Sequence, residues 1–203
     1  MSEIKELSHV RNADVVEEET KENETIGGER ITRKTIAFES KDVIRMFHAN
    51  CRILREKHRT GWSGIIAGSI RRGASQVHDL DAVLVIDEPI LTDRVKQFWE
   101  SVKEKESWIH QDYRVCPRSR LGAMLLYLTG DRDHNISMRA KAARMGMTLN
   151  EYGLWGHSIR QHEPILLAGA TERQIYKRLN LAYLSPSERT FRILKQDTLA
   201  VEV

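Results

Sequence analysis

A chain of 203 residues, 40% hydrophobic and 30% charged, has room for one large domain or two small ones and enough apolar residues to bury a core. No apolar run approaches the ~18 residues that cross a bilayer, and the start Met1-Ser2-Glu3-Ile4-Lys5-Glu6 has no apolar centre, which argues against membrane and exported classes. Cys51 and Cys116 lie far apart without metal-type spacing, so neither a disulfide framework nor a zinc site is expected, and an intracellular protein is.

The net charge is +3, but its distribution is uneven. Acids crowd the first stretch (Glu17, Glu18, Glu19, Glu22), and bases crowd the region from Arg114 to Arg144. That asymmetry suits a protein touching phosphates with one region. A merely solvated surface would give the same count.

Residues 1–28 are polar and acidic and read as a mobile arm, with Gly27-Gly28 marking a turn. Arg30 to Phe38 alternates loosely, as a short strand would. Ser40 is placed as the N-cap of a helix whose buried face is Val43, Phe47, Cys51 and Leu54. Trp62 to Ala67 reads as a strand leading into Gly68-Ser69. Asp79 to Ile86 reads as a second strand, with Asp79, Asp81, Val83 and Val85 on one face and Leu80, Ala82, Leu84 and Ile86 on the other. A helix is expected from Asp93 to about Lys105, and a strand from Asp112 to Val115, stopped by Pro117. After the apolar run Leu121 to Leu128 comes a basic helix from Asn135 to Met145, closed by Gly146. Met147 to Leu154 reads as extended, and Thr171-Glu172-Arg173-Gln174 is a capping-box pattern opening a last helix.

The chemistry concentrates in Gly68-Ser69-Ile70-Arg71-Arg72-Gly73 followed by Asp79-Leu80-Asp81. Carboxylates two residues apart on a strand project from one face. On an otherwise apolar strand they repel each other unless a cation joins them. A pair of Mg²⁺ ions takes such hard oxygen ligands and can grip the attacking and leaving oxygens of a phosphoryl transfer. A Gly-Ser turn lets backbone and hydroxyl approach phosphate oxygens closely, and an arginine can add charge-assisted bonds. The D-x-D step alone is common in proteins of every kind. The whole string is far more specific than its parts.

That string resembles the palm signature of the X-family DNA polymerases, the DNA polymerase beta group. Asp112-Tyr113-Arg114-Val115 is similar to the strand bearing the family's third metal carboxylate, and Tyr127-Leu128-Thr129-Gly130 to its Y-F-T-G motif. Asn135 to Ala140 and Leu149 to Gly153 resemble its thumb motifs, and Thr171 to Arg189 the end of that thumb. The order and number of matches, from about Ser40 to Arg189, identify the chain as resembling the minimal palm-plus-thumb viral members.

The resemblance implies an α+β fold, with an N-terminal arm over 1–38, a palm with a mixed sheet over 39–119 and a small thumb over 120–203. It implies that Asp79, Asp81 and Asp112 bind two Mg²⁺ ions, with Mn²⁺ as a substitute. Asp112 also helps to activate the DNA 3′ hydroxyl. Gly68, Ser69 and Arg72 would hold the triphosphate; Tyr127 and Gly130 would frame the sugar; Asn135 would meet the base edge. Arg139, Lys141 and Arg144 would contact DNA, and Arg114 would be a switch pairing with Asp81 when the site is idle. The partners implied are DNA and a dNTP, with no membrane and no need for an oligomer. A protein partner for the acidic arm, or shielding of the basic face by it, is a further expectation.

The chain departs from the family's pattern at Leu128, Ile136, Ser75, His110 and Asp131-Arg132-Asp133. No segment resembles the family's lyase domain, so lyase activity is not expected. The expected activity is templated addition of dNMP to a DNA 3′ end, with short-gap filling in repair as its use. Template-independent terminal transfer shares every catalytic residue. A small-molecule nucleotidyltransferase would share the palm string without the thumb motifs, and a non-catalytic DNA-end-binding protein would have no need of the three aspartates.

Overall fold

The computed structural model describes residues 15–18, 24–26, 29–31, 35–157 and 163–189. The acidic stretch is not without structure: β1 (Val15–Glu18) pairs antiparallel with β4 (Thr35–Glu39), and β2 (Glu24–Ile26) pairs with β3 (Glu29–Ile31). Backbone pairing with β4 supplies the order that composition does not suggest. The rest of the expected arm, Gly27-Gly28 included, lies outside the described residues.

Helix α1 (Ser40–Lys57) begins one residue earlier than the sequence suggests. Its N-cap is Glu39, and the Ser40 hydroxyl donates instead to the Ala74 carbonyl, so it ties the helix to the neighbouring loop. Strand β5 (Trp62–Ile66) leads into the single helical turn α2 (Gly68–Arg71). After the short β6 (Gln76–Val77) comes β7 (Asp79–Ile86). Helix α3 (Pro89–Lys105) starts four residues before the expected Asp93, because Pro89 occupies the first turn, where its missing N–H costs nothing. Strand β8 (His110–Cys116) follows.

These strands form a mixed sheet in the order β5-β7-β8: β5 is antiparallel to β7 and β8 parallel to it. The α3 crossover permits the parallel step. Strand β7 is covered on both faces, as its alternation predicts. Leu80, Leu84 and Ile86 pack with Val43, Met46 and Phe47 of α1 and with Val95 and Trp99 of α3. Val83 and Val85 pack with Met124 and Leu125 of α4 (Leu121–Thr129).

Helix α4 is the hub of the chain. Gly122 through Leu126 are all buried, as expected of a helix apolar all round. Its other side, Ala123 and Leu126, packs with Met138 and Ala142 of α5 (Arg132–Arg144). The same cluster takes in Leu149 of β9 (Thr148–Asn150), Leu154 of β10 (Gly153–His157), Ala168 of β11 (Pro164–Ala168) and Ile175 of α6 (Glu172–Arg178). Strands β9, β10 and β11 form an antiparallel sheet in the order β11-β10-β9. Helix α5 starts three residues before the expected Asn135, because Asp131 caps it by accepting from the His134 amide. The capping box of α6 is formed by Thr171 and Gln174, as the pattern predicts. A Cβ at Gly122 would sit 2.2 Å from the Thr171 carbonyl carbon, so only glycine lets α4 lie this close to the start of α6.

Candidate active site

In the parallel register of β7 and β8, Asp79 lies opposite His110 and Asp81 opposite Asp112. Paired residues of neighbouring strands project to the same side. All three aspartates therefore share the face that Val83 and Val85 mark, away from α1 and α3. Their proximity is felt electrostatically. Burial, then the charges of Asp79 and Asp112, push the Asp81 carboxyl up to about 6, against the opposing pull of Arg72 and His110.

The Gly68 turn closes on this carboxylate. Gly68 has φ +60°, and a Cβ there would lie 2.2 Å from Asp81 Oδ2, so backbone conformation and space both require glycine. The Ala67 amide donates to the Asp81 carbonyl at 2.8 Å and fixes the turn to the strand. Ser69 is half-buried within α2, and Arg72 Nη1 donates to the Thr129 carbonyl at 2.8 Å.

Arg114 is not paired with Asp81. Its Nε and Nη2 donate to Asp112 Oδ2 at 3.2 and 3.0 Å. The two residues alternate on one strand and so share a face, whereas Arg114 lies across from Val83 in the register, one step beyond Asp81. That hydrogen bond and charge hold the Arg114 guanidinium firmly protonated, with weaker support from Tyr127 and Glu151.

The donor chemistry, three carboxylates on one face with one of them pushed up by burial and then by the charge of the others, fits a hard divalent cation. Among the described residues no three acid, His or Cys side chains converge closely enough to enclose an ion, and Asp112 is held by Arg114.

A second group gathers at the end of α4. Tyr127, Asn135 and Arg139 line one shallow pocket with Leu149 and Asn150. Asn135 Nδ2 donates to the Tyr127 carbonyl at 2.7 Å and to the Gly130 carbonyl at 3.4 Å. A Cβ at Gly130 would press on Asn135 and His134 at 2.8 Å. Lys141 and Arg144 are not part of this group. At about 100° per residue, Lys141 lies on the side of α5 opposite Arg139, and the three basic residues do not share a face. His78, beside the first aspartate, meets the Ile36 carbonyl through Nδ1 at 3.1 Å.

Sequence reasoning misses the network behind the turn. Arg71 Nη1 and Nη2 donate to Glu172 Oε1 and Oε2 at 2.9 and 2.7 Å, and Nη1 also reaches Thr129 Oγ1 at 2.9 Å. Arg189, fully buried, donates to the same carboxylate at 2.7 Å and to the Leu184 carbonyl. Burial pushes the Glu172 carboxyl upward, but the hydrogen bonds and charges of the two arginines outweigh it and hold it below the usual range. The partners lie 101 and 17 positions apart, and no local spacing announces such a pairing.

Residues 124–190 match the family model of the DNA polymerase beta thumb. The chain is 27% identical over 174 residues to DNA polymerase lambda of Rattus norvegicus, covering 68% of this chain and 30% of that protein. It is 29% identical over 152 residues to the DNA polymerase/3'-5' exonuclease PolX of Bacillus subtilis, covering 66% of this chain and 26% of that protein. It is 27% identical over 143 residues to the Repair DNA polymerase X of African swine fever virus, covering 62% of this chain and 80% of that protein. The chain thus spans less than a third of the first two relatives.

Proposed function

We propose, from the premise that this chain belongs to the X-family DNA polymerases, that it adds dNMP from a dNTP to a DNA 3′ end and serves in filling short gaps. The observation that carries the reading is the register of β7 and β8, which sets Asp81 beside Asp112 with Asp79 on the same face, under the Gly68 turn. Asp79, Asp81 and Asp112 are the residues to hold two divalent cations, which neutralise the triphosphate and lower the charge barrier to attack.

The remaining roles belong to the chain itself. Ser69 and Arg72 hold the β and γ phosphates, the arginine while anchored through Nη1 to the Thr129 carbonyl. The 3′ hydroxyl oxygen bonds to the α phosphorus as the bond to pyrophosphate breaks, and the hydroxyl gives its proton to Asp112. That role requires Arg114 to release Asp112 Oδ2 when substrate arrives. Tyr127 and Gly130 frame the sugar, Asn135 meets the base edge, and Arg139, beside them, meets the DNA. Lys141 and Arg144 meet DNA on another side of α5.

The test is primer extension on a one-nucleotide-gapped duplex with Mg²⁺, each dNTP offered separately, for the wild type and Asp112→Ala. The expected result is addition of the complementary nucleotide by the wild type and none by the variant. Equal addition of all four makes the protein a terminal transferase. DNA binding without any addition favours the end-binding reading.

A further inference from the structure

Along the solvent face of α1, Lys41, Arg45, His48, Arg52 and Arg55 recur at alternating steps of four and three, and Arg59 continues the row just beyond the helix. All six are exposed. At about 100° per residue the five helical positions fall within an arc of about 80°, and they span about 21 Å of the axis. From Ser40 to Arg59, six Lys or Arg stand against two carboxylates. One of these, Asp42, is buried and holds Arg45 at 3.0 Å; the other, Glu56, is exposed. Lys41, Arg52 and Arg59 have no carboxylate partner among the described residues. Arg55 lies over the buried Trp62 ring, 5.8 Å from its centroid, and is braced there.

The placement separates this row from the chemistry. The inner face of α1 packs on the Leu80 and Leu84 side of β7, whereas the aspartates are on the other side of the sheet. The large apolar residues Val43, Met46, Phe47 and Leu54 of α1 are committed to the core, and the exposed row itself carries cationic side chains and His48. A single file of cations about 21 Å long matches a linear polyanion. Duplex DNA carries a phosphate per about 3.4 Å of axis on each strand, so the row faces the rise of about six.

We propose that this row is a second, sequence-independent contact for the phosphodiester backbone of duplex DNA, on the side of the sheet opposite the aspartates. It rests on DNA being the substrate, but it requires no step of the reaction. The row would hold duplex flanking the reacting end, or a separate duplex segment.

The test is fluorescence anisotropy with an ungapped blunt duplex of about 40 base pairs, titrated over a range of salt concentrations. The wild type is compared with the triple variant Lys41→Gln, Arg52→Gln, Arg59→Gln. All three positions are exposed, and an unchanged Tm confirms folding. The slope of log affinity against log salt should fall by about 2.7, at about 0.9 for each phosphate that the variant leaves unneutralised. Gap filling on a short substrate at saturating concentration should be unchanged. An unchanged slope overturns the proposal even if the wild type extends primers. A wild type that extends nothing but shows the slope change leaves this surface standing and removes the polymerase reading. If the triple variant loses binding to phosphatidylserine vesicles and keeps its duplex binding, the row serves lipid and the proposal fails; failure of the wild type to bind duplex at low salt overturns it as well.

Discussion

Two clusters of ionised groups flank the α2 turn, and they are built on opposite plans. On one side Asp79, Asp81 and Asp112 gather on a half-buried face, and burial, then the charges of its two neighbours, push Asp81 up to about 6. On the other, Glu172 is enclosed by Arg71 and Arg189 with every bond near ideal length, and its carboxyl is held down. Adjacent residues on the chain, Arg71 and Arg72, face the two clusters separately. Charge left uncompensated by the fold marks the place where something else must bind. A carboxylate compensated within the fold marks a joint, here between α2, α6 and Arg189.

The comparison breaks if the two clusters respond alike to mutation. Asp81→Asn should lower nucleotide addition on the order of 10³-fold or more, the scale for losing a group that stabilises transferring charge. It should not destabilise the fold. Without metal, ionising Asp81 costs more in the folded chain than in the unfolded one, so at pH 7 the amide should raise stability by about 1 kcal/mol, a value discounted for partial exposure. Thermal melts in chelator check this. Mg²⁺ should raise the Tm of the wild type and not that of the variant, because an ion that binds only the folded state stabilises it. Loss of stability in Asp81→Asn would place the aspartates among structural groups.

Glu172→Gln should show the reverse. Removing one partner of a buried ion cluster leaves uncompensated charge and costs about 3–5 kcal/mol. Here two arginines are stranded, one of them fully buried. Urea unfolding measures the cost, and residual addition per folded molecule should stay within about tenfold of the wild type, since no atom of Glu172 is assigned to substrate. A thousandfold loss of activity with unchanged stability would erase the distinction between the clusters.

How much of this is legible in the sequence follows from the range of each interaction. The alternation of β7 is readable because period 2 is local, and the structure buries its two faces in separate clusters as that alternation requires. The capping box at Thr171 is readable for the same reason. The start of α3 is not, because a proline just past a strand signals a break and a helix start equally well, and Pro89 serves as the start. Ser40 departs by one residue from its expected place because its hydroxyl answers to Ala74, a partner 34 positions away. The Arg114 pairing follows the strand's own alternation to Asp112 rather than the family's expected partner. The Glu172 network carries no sequence signal, since its geometry arises only when α2, α6 and Arg189 meet.

His134 sharpens the comparison at its smallest effect. It is fully buried beside the compensated cluster, with Nε2 2.7 Å from the Tyr176 hydroxyl and Nδ1 without a partner among the described residues. Burial, then the charge of Arg189, lowers it to about 4, against the weaker pull of Asp131 and Glu172. Its proton would add charge next to Arg189, and the doubly protonated ring would carry an Nδ1–H with no acceptor among the described residues. Between about pH 6.5 and about pH 4 the unfolded chain binds that proton and the folded chain does not. The stabilising contribution is therefore complete above about 6.5 and is lost as pH falls toward 4, a change of about 3 kcal/mol at most. His134→Gln lacks this titration, so its stability should fall less steeply across the window while the carboxylates common to both proteins cancel. Parallel urea series at pH 7, 6 and 5 give the two slopes. Equal slopes would mean that the imidazole reaches a proton acceptor in the fold, and that the charge of Arg189 is confined to the Glu172 cluster and does not reach His134.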